Sequence, residues 1–119
     1  MARILLAEDD ESMRRFLAGA LERAGHAVVS CADGEAALGE IRQSQFDVLL
    51  SDIVMPGIDG IELAGQAAEI APSLRIMFIT GFAAVALNAD DATARKARVL
   101  SKPVHLRELV QEIERLIAA

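Results

Sequence analysis

Arg75-Ile76-Met77-Phe78-Ile79-Thr80 reads as a strand with no polar face. Four successive large apolar residues, Ile76 to Ile79, cannot alternate between core and water, so both faces of such a strand must be covered. Arg3 to Ala7 has the same character, as do Ala27 to Cys31, Asp47 to Ser51 and the shorter Val99 to Ser101. Amphipathic stretches separate these runs. Met13, Phe16, Leu17, Ala20, Leu21 and Ala24 recur at helical spacing, and Gly25 stops the pattern. Asp33 can cap a helix carrying Ala37, Leu38 and Ile41, and a third helix spans Ile61 to Ile70 before Pro72. The Ala-rich segment Ala83 to Ala97 reads as a fourth helix, its apolar stripe broken by Asn88, Asp90 and Asp91. Leu106, Leu109, Val110, Ile113, Leu116 and Ile117 line the last. Five strand-then-helix units predict an α/β fold: a five-stranded parallel sheet, doubly wound as (βα)5, in one domain over residues 1–119.

Composition narrows the function. Twelve Lys and Arg against eighteen Asp and Glu leave a net charge of −6. That balance argues against a duplex nucleic-acid binder, which needs clustered cations to neutralise phosphates. The chain has no Trp or Tyr, so a base-stacking platform is not expected. Cys31 is the single cysteine, which excludes an internal disulfide and multi-cysteine metal sites. Within Ala27 to Cys31 it reads as a small buried hydrophobe. The N-terminal apolar run is too short for a signal peptide or a membrane span, which points to the cytoplasm.

Ligands of doubly wound sheets bind beyond the carboxyl ends of the strands, where the strand order switches. Glu8, Asp9 and Asp10 come after the first strand, Asp52 after the third, Thr80 ends the fourth, and Lys102 comes after the fifth, with Pro103 next. Acids gathered at one edge repel, and a hard divalent cation such as Mg²⁺ relieves that repulsion through oxygen ligands. A carboxylate nucleophile, a metal, a hydroxyl and a lysine are the parts for moving a phosphoryl group onto an aspartate. Each residue also has a plainer reading. Asp52 can cap the helix after the Pro-Gly loop, Asp10 or Glu11 can cap the first helix, Thr80 suits any strand, and a loop lysine is usually solvated. His26 and His105 stand away from the acids and read as structural or surface residues.

The acids in Leu5-Leu6-Ala7-Glu8-Asp9-Asp10, the segment Ser51-Asp52-Ile53-Val54-Met55-Pro56-Gly57-Ile58-Asp59-Gly60, the pair Thr80-Gly81 and the run Ser101-Lys102-Pro103 resemble the signature of two-component response regulator receiver domains of the CheY type. The resemblance covers the whole chain, and the four motifs in order are far more specific than any one. It implies a flavodoxin-like receiver fold with Asp52 as phospho-acceptor, served by a histidine kinase or a histidine phosphotransfer protein. It implies Mg²⁺ as cofactor, held by Asp9, Asp52 and the backbone carbonyl of Val54, with Glu8 acting through a metal-bound water. Lys102 would pair with Asp52 at rest and with the phosphoryl group afterwards, and Thr80 would donate to a phosphoryl oxygen. Gly81 would leave room for the phosphate, and Pro103 would come after a cis peptide bond that turns the lysine inward.

Two positions depart from the usual receiver pattern. Val99 stands where an aromatic ring commonly follows the threonine, and Val104 where Phe is frequent. Val54 and Phe82 flank the site as apolar groups able to shield an acyl phosphate. Ile4 to Asp10, Met13 to Leu17, Leu100 to Pro103 and His105 to Arg107 resemble the CpdR-type single-domain regulators of alphaproteobacteria. That resemblance implies a monomeric adaptor for ClpX and its protease ClpXP in cell-cycle control, silenced by phosphorylation. The terminal Ala118-Ala119 reads either as a tail that ClpX engages or as a frayed helix end. The domain is expected to catalyse only its own phosphorylation and dephosphorylation. A phosphorelay transfer protein is the alternative. A metal-dependent phosphatase is weakened by Ile53 and Val54, which stand where a second acid is needed. An FMN binder is weakened by Glu8 and Asp9, which would repel its phosphate.

Overall fold

In the computed structural model, which describes residues 1–80 and 98–118, five strands form one parallel sheet. They are β1 (Arg3–Ala7), β2 (Ala27–Cys31), β3 (Val48–Asp52), β4 (Arg75–Thr80) and β5 (Arg98–Ser101), in the order β2-β1-β3-β4-β5. Four helices are described: α1 (Glu11–Arg23), α2 (Gly34–Gln43), α3 (Gly60–Ile70) and α4 (Leu106–Ala118). The helix expected between Ala83 and Ala97 lies outside the described residues, as do Gly81, Phe82 and Ala119.

The apolar strands feed two cores, one on each face of the sheet. Leu5, Ala7, Leu49, Ile76 and Phe78 point to the side covered by α2 and α3, where Ala37, Leu38, Ile41, Leu63, Ala64 and Ala67 meet them. Ile4, Leu6, Val48, Leu50, Met77, Ile79 and Leu100 point the other way, onto Leu17 and Leu21 of α1 and Leu109 and Ile113 of α4. Successive residues of a strand face opposite sides, so a continuous apolar run is what a doubly covered sheet demands.

Local signals close the helix ends. Asp10, Asp33 and Asp59 are N-caps whose carboxylates accept the Met13, Ala36 and Glu62 N–H groups, each at 2.8 Å. Helix α1 begins two residues before the first periodic apolar position, because Glu11 and Ser12 form an exposed first turn with no apolar residue. Strand β3 runs one residue further than its apolar pattern, because Asp52 still pairs with Ile79 of β4. Cys31 is buried, and burial pushes its thiol pKa up to about 11, which leaves it an inert core residue. His26 is buried too. Its Nδ1 accepts the Ala2 N–H at 3.1 Å, and its Nε2 lies 4.0 Å from Glu114 on α4. Among the described residues no helix is long and apolar enough to cross a membrane.

Helix α4 is fully buried at two positions, Leu109 and Ile113, so its docking rests on few side chains. Leu109→Ala is expected to cost about 2–5 kcal/mol of unfolding free energy, read from urea denaturation followed by circular dichroism. A loss below about 1 kcal/mol would show that α4 does not hold this face of the sheet together.

Candidate functional site

The chain winds outward from β1 in both directions, so the carboxyl ends of β1 and β3 lie side by side at the switch point. Ala7 pairs with Ser51, and the next residues along these strands are Glu8 and Asp52. Asp52 pairs with Ile79, one residue before Thr80, and Thr80 pairs with Ser101, one residue before Lys102. The Lys102 N–H donates to the Thr80 carbonyl at 2.9 Å, extending the β4–β5 ladder by one bond. Register therefore delivers Glu8, Asp52, Thr80 and Lys102 to one edge.

Side chains complete the cluster. The Lys102 ammonium stands 2.9 Å from Asp52 Oδ2 and 3.4 Å from Glu8 Oε1. Glu8 accepts the Asp10 N–H at 3.1 Å through its other oxygen. Asp52 Oδ1 accepts the Val54 N–H at 3.3 Å. Glu8 and Asp52 are buried, Asp9 is exposed, and carboxylate oxygens of all three lie within 4.8 Å of one another. A groove of about 490 Å³ opens beside Asp9 along Asp33, Glu35 and Pro56, so the Asp9 side of the cluster borders solvent. The Lys102–Pro103 peptide bond is cis. Val54, two residues past Asp52, is 59% exposed. Thr80 is wholly buried. Val99 pairs with Phe78 and packs into the α2–α3 core, and Val104 packs against the α1–α4 core. His105 is exposed.

Electrostatics of the edge come from burial and charge. Burial raises the Glu8 pKa above the usual glutamate range, and the charge of Asp52 adds to it, while the Asp10 N–H and Lys102 pull the other way. The folded state thus favours neutral Glu8. That contribution to stability is fully present below the ordinary glutamate pKa and is lost as pH rises through the folded one. Burial works to lower the Lys102 pKa, but the hydrogen bond and charge of Asp52, and then Glu8, outweigh it and leave the pKa raised. Lys102 contributes stability below the ordinary lysine pKa, lost as pH climbs through the folded value. Fully ionised, three carboxylates and one ammonium carry a formal −2, the charge that one divalent cation neutralises. The donors are all hard oxygens, which suit Mg²⁺ or a similar ion.

One residue essential to this geometry does not stand out as a site residue in the sequence. The Gly60 N–H donates to the Ile53 carbonyl at 2.8 Å, which brings the start of α3 hard against β3. A Cβ on Gly60 would overlap the Asp52 carbonyl oxygen and stand 2.8 Å from the Ile53 Cα and 2.9 Å from the Asp52 carbonyl carbon. All three are backbone atoms that cannot step aside. The Asp59-Gly60 pair before an apolar helix is a visible signal, but it reads equally as a routine helix start.

Fold and cluster together define a class: a doubly wound α/β domain with an oxygen-rich acidic cluster at its switch point and a lysine facing it. A family model described as the response regulator receiver domain matches residues 4–114, and the chain belongs to that family. It is 60% identical to the response regulator receiver protein CpdR of Brucella abortus over 119 residues, all of this chain and 99% of that protein. The response regulator TrrA of Thermotoga maritima, solved in complex with Mg²⁺–BeF, superimposes with a TM-score of 0.86 at 27% identity, covering 98% of this chain and 99% of that one. The receiver domain of the hybrid histidine kinase CckA does so at 0.82 and 31%, covering 97% and 98%.

Gly60→Ala is expected to destabilise the domain by about 1–3 kcal/mol or more and to shift the Asp52 amide resonance. Gly39→Ala, in α2 with nothing within 4 Å of the added Cβ, should instead stabilise by about 0.5–1 kcal/mol. A Gly60→Ala variant as stable as Gly39→Ala would show that the close approach at Asp52 is not a constraint.

Proposed function

We propose that Asp52 accepts a phosphoryl group, that Mg²⁺ is the required cofactor, and that the resulting acyl phosphate switches a protein–protein contact. The observation that carries this reading is the Lys102–Asp52 contact at 2.9 Å inside an acidic cluster of formal charge −2. Asp9, Asp52 and the carbonyl of Val54 would hold the cation, with Glu8 near it through water. When bound, the cation neutralises charge on the oxygens of the transferring group.

Asp52 acts as nucleophile. A carboxylate oxygen attacks phosphorus, a P–O bond forms, and the P–N bond to the donor histidine breaks as its imidazole leaves with the electron pair. Lys102 pairs with Asp52 before transfer and faces the new negative charge afterwards. Thr80, at the end of β4, donates its hydroxyl to a phosphoryl oxygen. The donor is a histidine kinase or a histidine phosphotransfer protein.

The output is contact rather than turnover of a substrate. The 60% identity to CpdR, over nearly the full length of both chains, supports an adaptor role for ClpX and its protease ClpXP, active without phosphate. Val99 stands where an aromatic elsewhere tracks the threonine, so the signal leaves Thr80 by a route other than a ring at that position.

Incubation with acetyl phosphate and Mg²⁺, with intact-mass measurement afterwards, should show the gain of one phosphoryl group. Asp52→Asn should show none, and chelation should suppress the gain in the parent chain. Gain that persists in Asp52→Asn would overturn the acceptor. Capture on immobilised ClpX should be stronger without phosphate, and equal capture of both forms would remove the adaptor reading. Rapid reversible exchange with a histidine phosphotransfer protein, without ClpX capture, would make the chain a relay intermediate.

A further inference from the structure

Arg14 stands in α1, close behind the acidic turn at the end of β1. Its Nη1 donates to the Glu8 carbonyl at 2.9 Å and lies 3.5 Å from the Asp9 carbonyl. Those carbonyls belong to two of the three clustered acids. Other bonds hold the same turn from different sides. The Glu8 N–H donates to the Cys31 carbonyl at 3.1 Å, the Asp10 N–H to the Glu8 carboxylate at 3.1 Å, and the Met13 N–H to the Asp10 carboxylate at 2.8 Å. These fix the turn at its N–H groups and side chains, and Arg14 fixes it at its carbonyls.

We propose that Arg14 is a positioning residue for the acidic cluster: it straps the Glu8 and Asp9 carbonyls so that both carboxylates stay turned toward Asp52, and so strengthens cation binding although it is itself a cation. A peptide carbonyl that loses its donor rotates toward water and carries the neighbouring side chains with it. Partners one bond removed from a ligand orient it, and their removal costs about 10–100-fold in metal affinity.

The inference rests on the metal reading under the proposed function, and its sign separates it from simple electrostatics. If Arg14 acted only through its charge, it would repel a divalent ion, and removing it would tighten binding. If it acts as a strap, removing it weakens binding. Arg15 supplies the charge control. It is the next residue, its side chain is 81% exposed, and its partner is Glu11 at 3.5 Å, outside the cluster.

The test is an Mg²⁺ titration read from backbone amide chemical shifts, since a chain without Trp or Tyr offers little useful emission. Arg14→Met should weaken Mg²⁺ binding about 10–100-fold. Arg14→Lys, which keeps the charge with a shorter reach and no fork, should fall between it and the parent. Arg15→Met should stay within about twofold, because an exposed charge is screened. Unchanged or tighter binding in Arg14→Met overturns the strap. Should that variant not fold, Arg14→Lys decides: weaker binding supports the strap and parental binding overturns it. A parent chain whose amides do not respond to Mg²⁺ overturns the metal reading, and the strap with it, an outcome distinct from variants that bind as the parent does.

Discussion

The site is organised by a single ammonium. Lys102 is the positive charge set between Glu8 and Asp52, both buried and both at the end of a strand. Burial, and the neighbouring charge of Asp52, disfavour the ionised form of Glu8. The Asp10 N–H and the lysine offset part of that cost, and the Val54 N–H donates to Asp52 beside them. Among the described residues, Asp9 adds a third carboxylate on the exposed side of the cluster, which leaves it an excess of negative charge. A surface of that kind gains from a divalent cation and, through it, from a phosphate.

The fold holds those strand ends still. Both faces of the sheet are apolar and both are covered, so register slips would strip side chains from a core on one side or the other. Register in turn places Glu8 beside Asp52 and Lys102 beyond Thr80. Gly60 adds a contact where helix and strand touch backbone to backbone, directly behind Asp52. Packing thus sets the position of each functional group, and charge sets its state.

Much of this is legible in the sequence. The strands announce themselves as apolar runs. Glu8, Asp9, Asp52, Thr80 and Lys102 stand at the ends of those runs or just past them, so residue type and place alone single them out. The boundaries move where pattern and hydrogen bonding differ: Asp52 is polar yet still paired, and Glu11 is helical yet carries no apolar signal. Gly60 and Arg14 stay silent for another reason. Their roles lie in backbone contacts, a missing Cβ against a carbonyl and a guanidinium on two others, and residue type alone does not encode which backbone atom will be near. Asp33 reads as a cap, and the cap of α1 narrows to Asp10 or Glu11, because that interaction is local; the structure settles on Asp10. His26 reads as a structural or surface residue, and the structure buries it against Ala2 and α4, an outcome that depends on long-range packing.

The deciding measurement is the titration of the Glu8 side-chain carboxyl by NMR, with and without Mg²⁺. Without the ion, Glu8 should titrate above the usual glutamate range, because burial and Asp52 disfavour its charge. With Mg²⁺ its pKa should fall, because the cation favours the ionised form, and by linkage Mg²⁺ binding should strengthen as pH rises through that range. A Glu8 that titrates in the ordinary range and ignores Mg²⁺ would contradict a buried acidic cluster built to receive a cation.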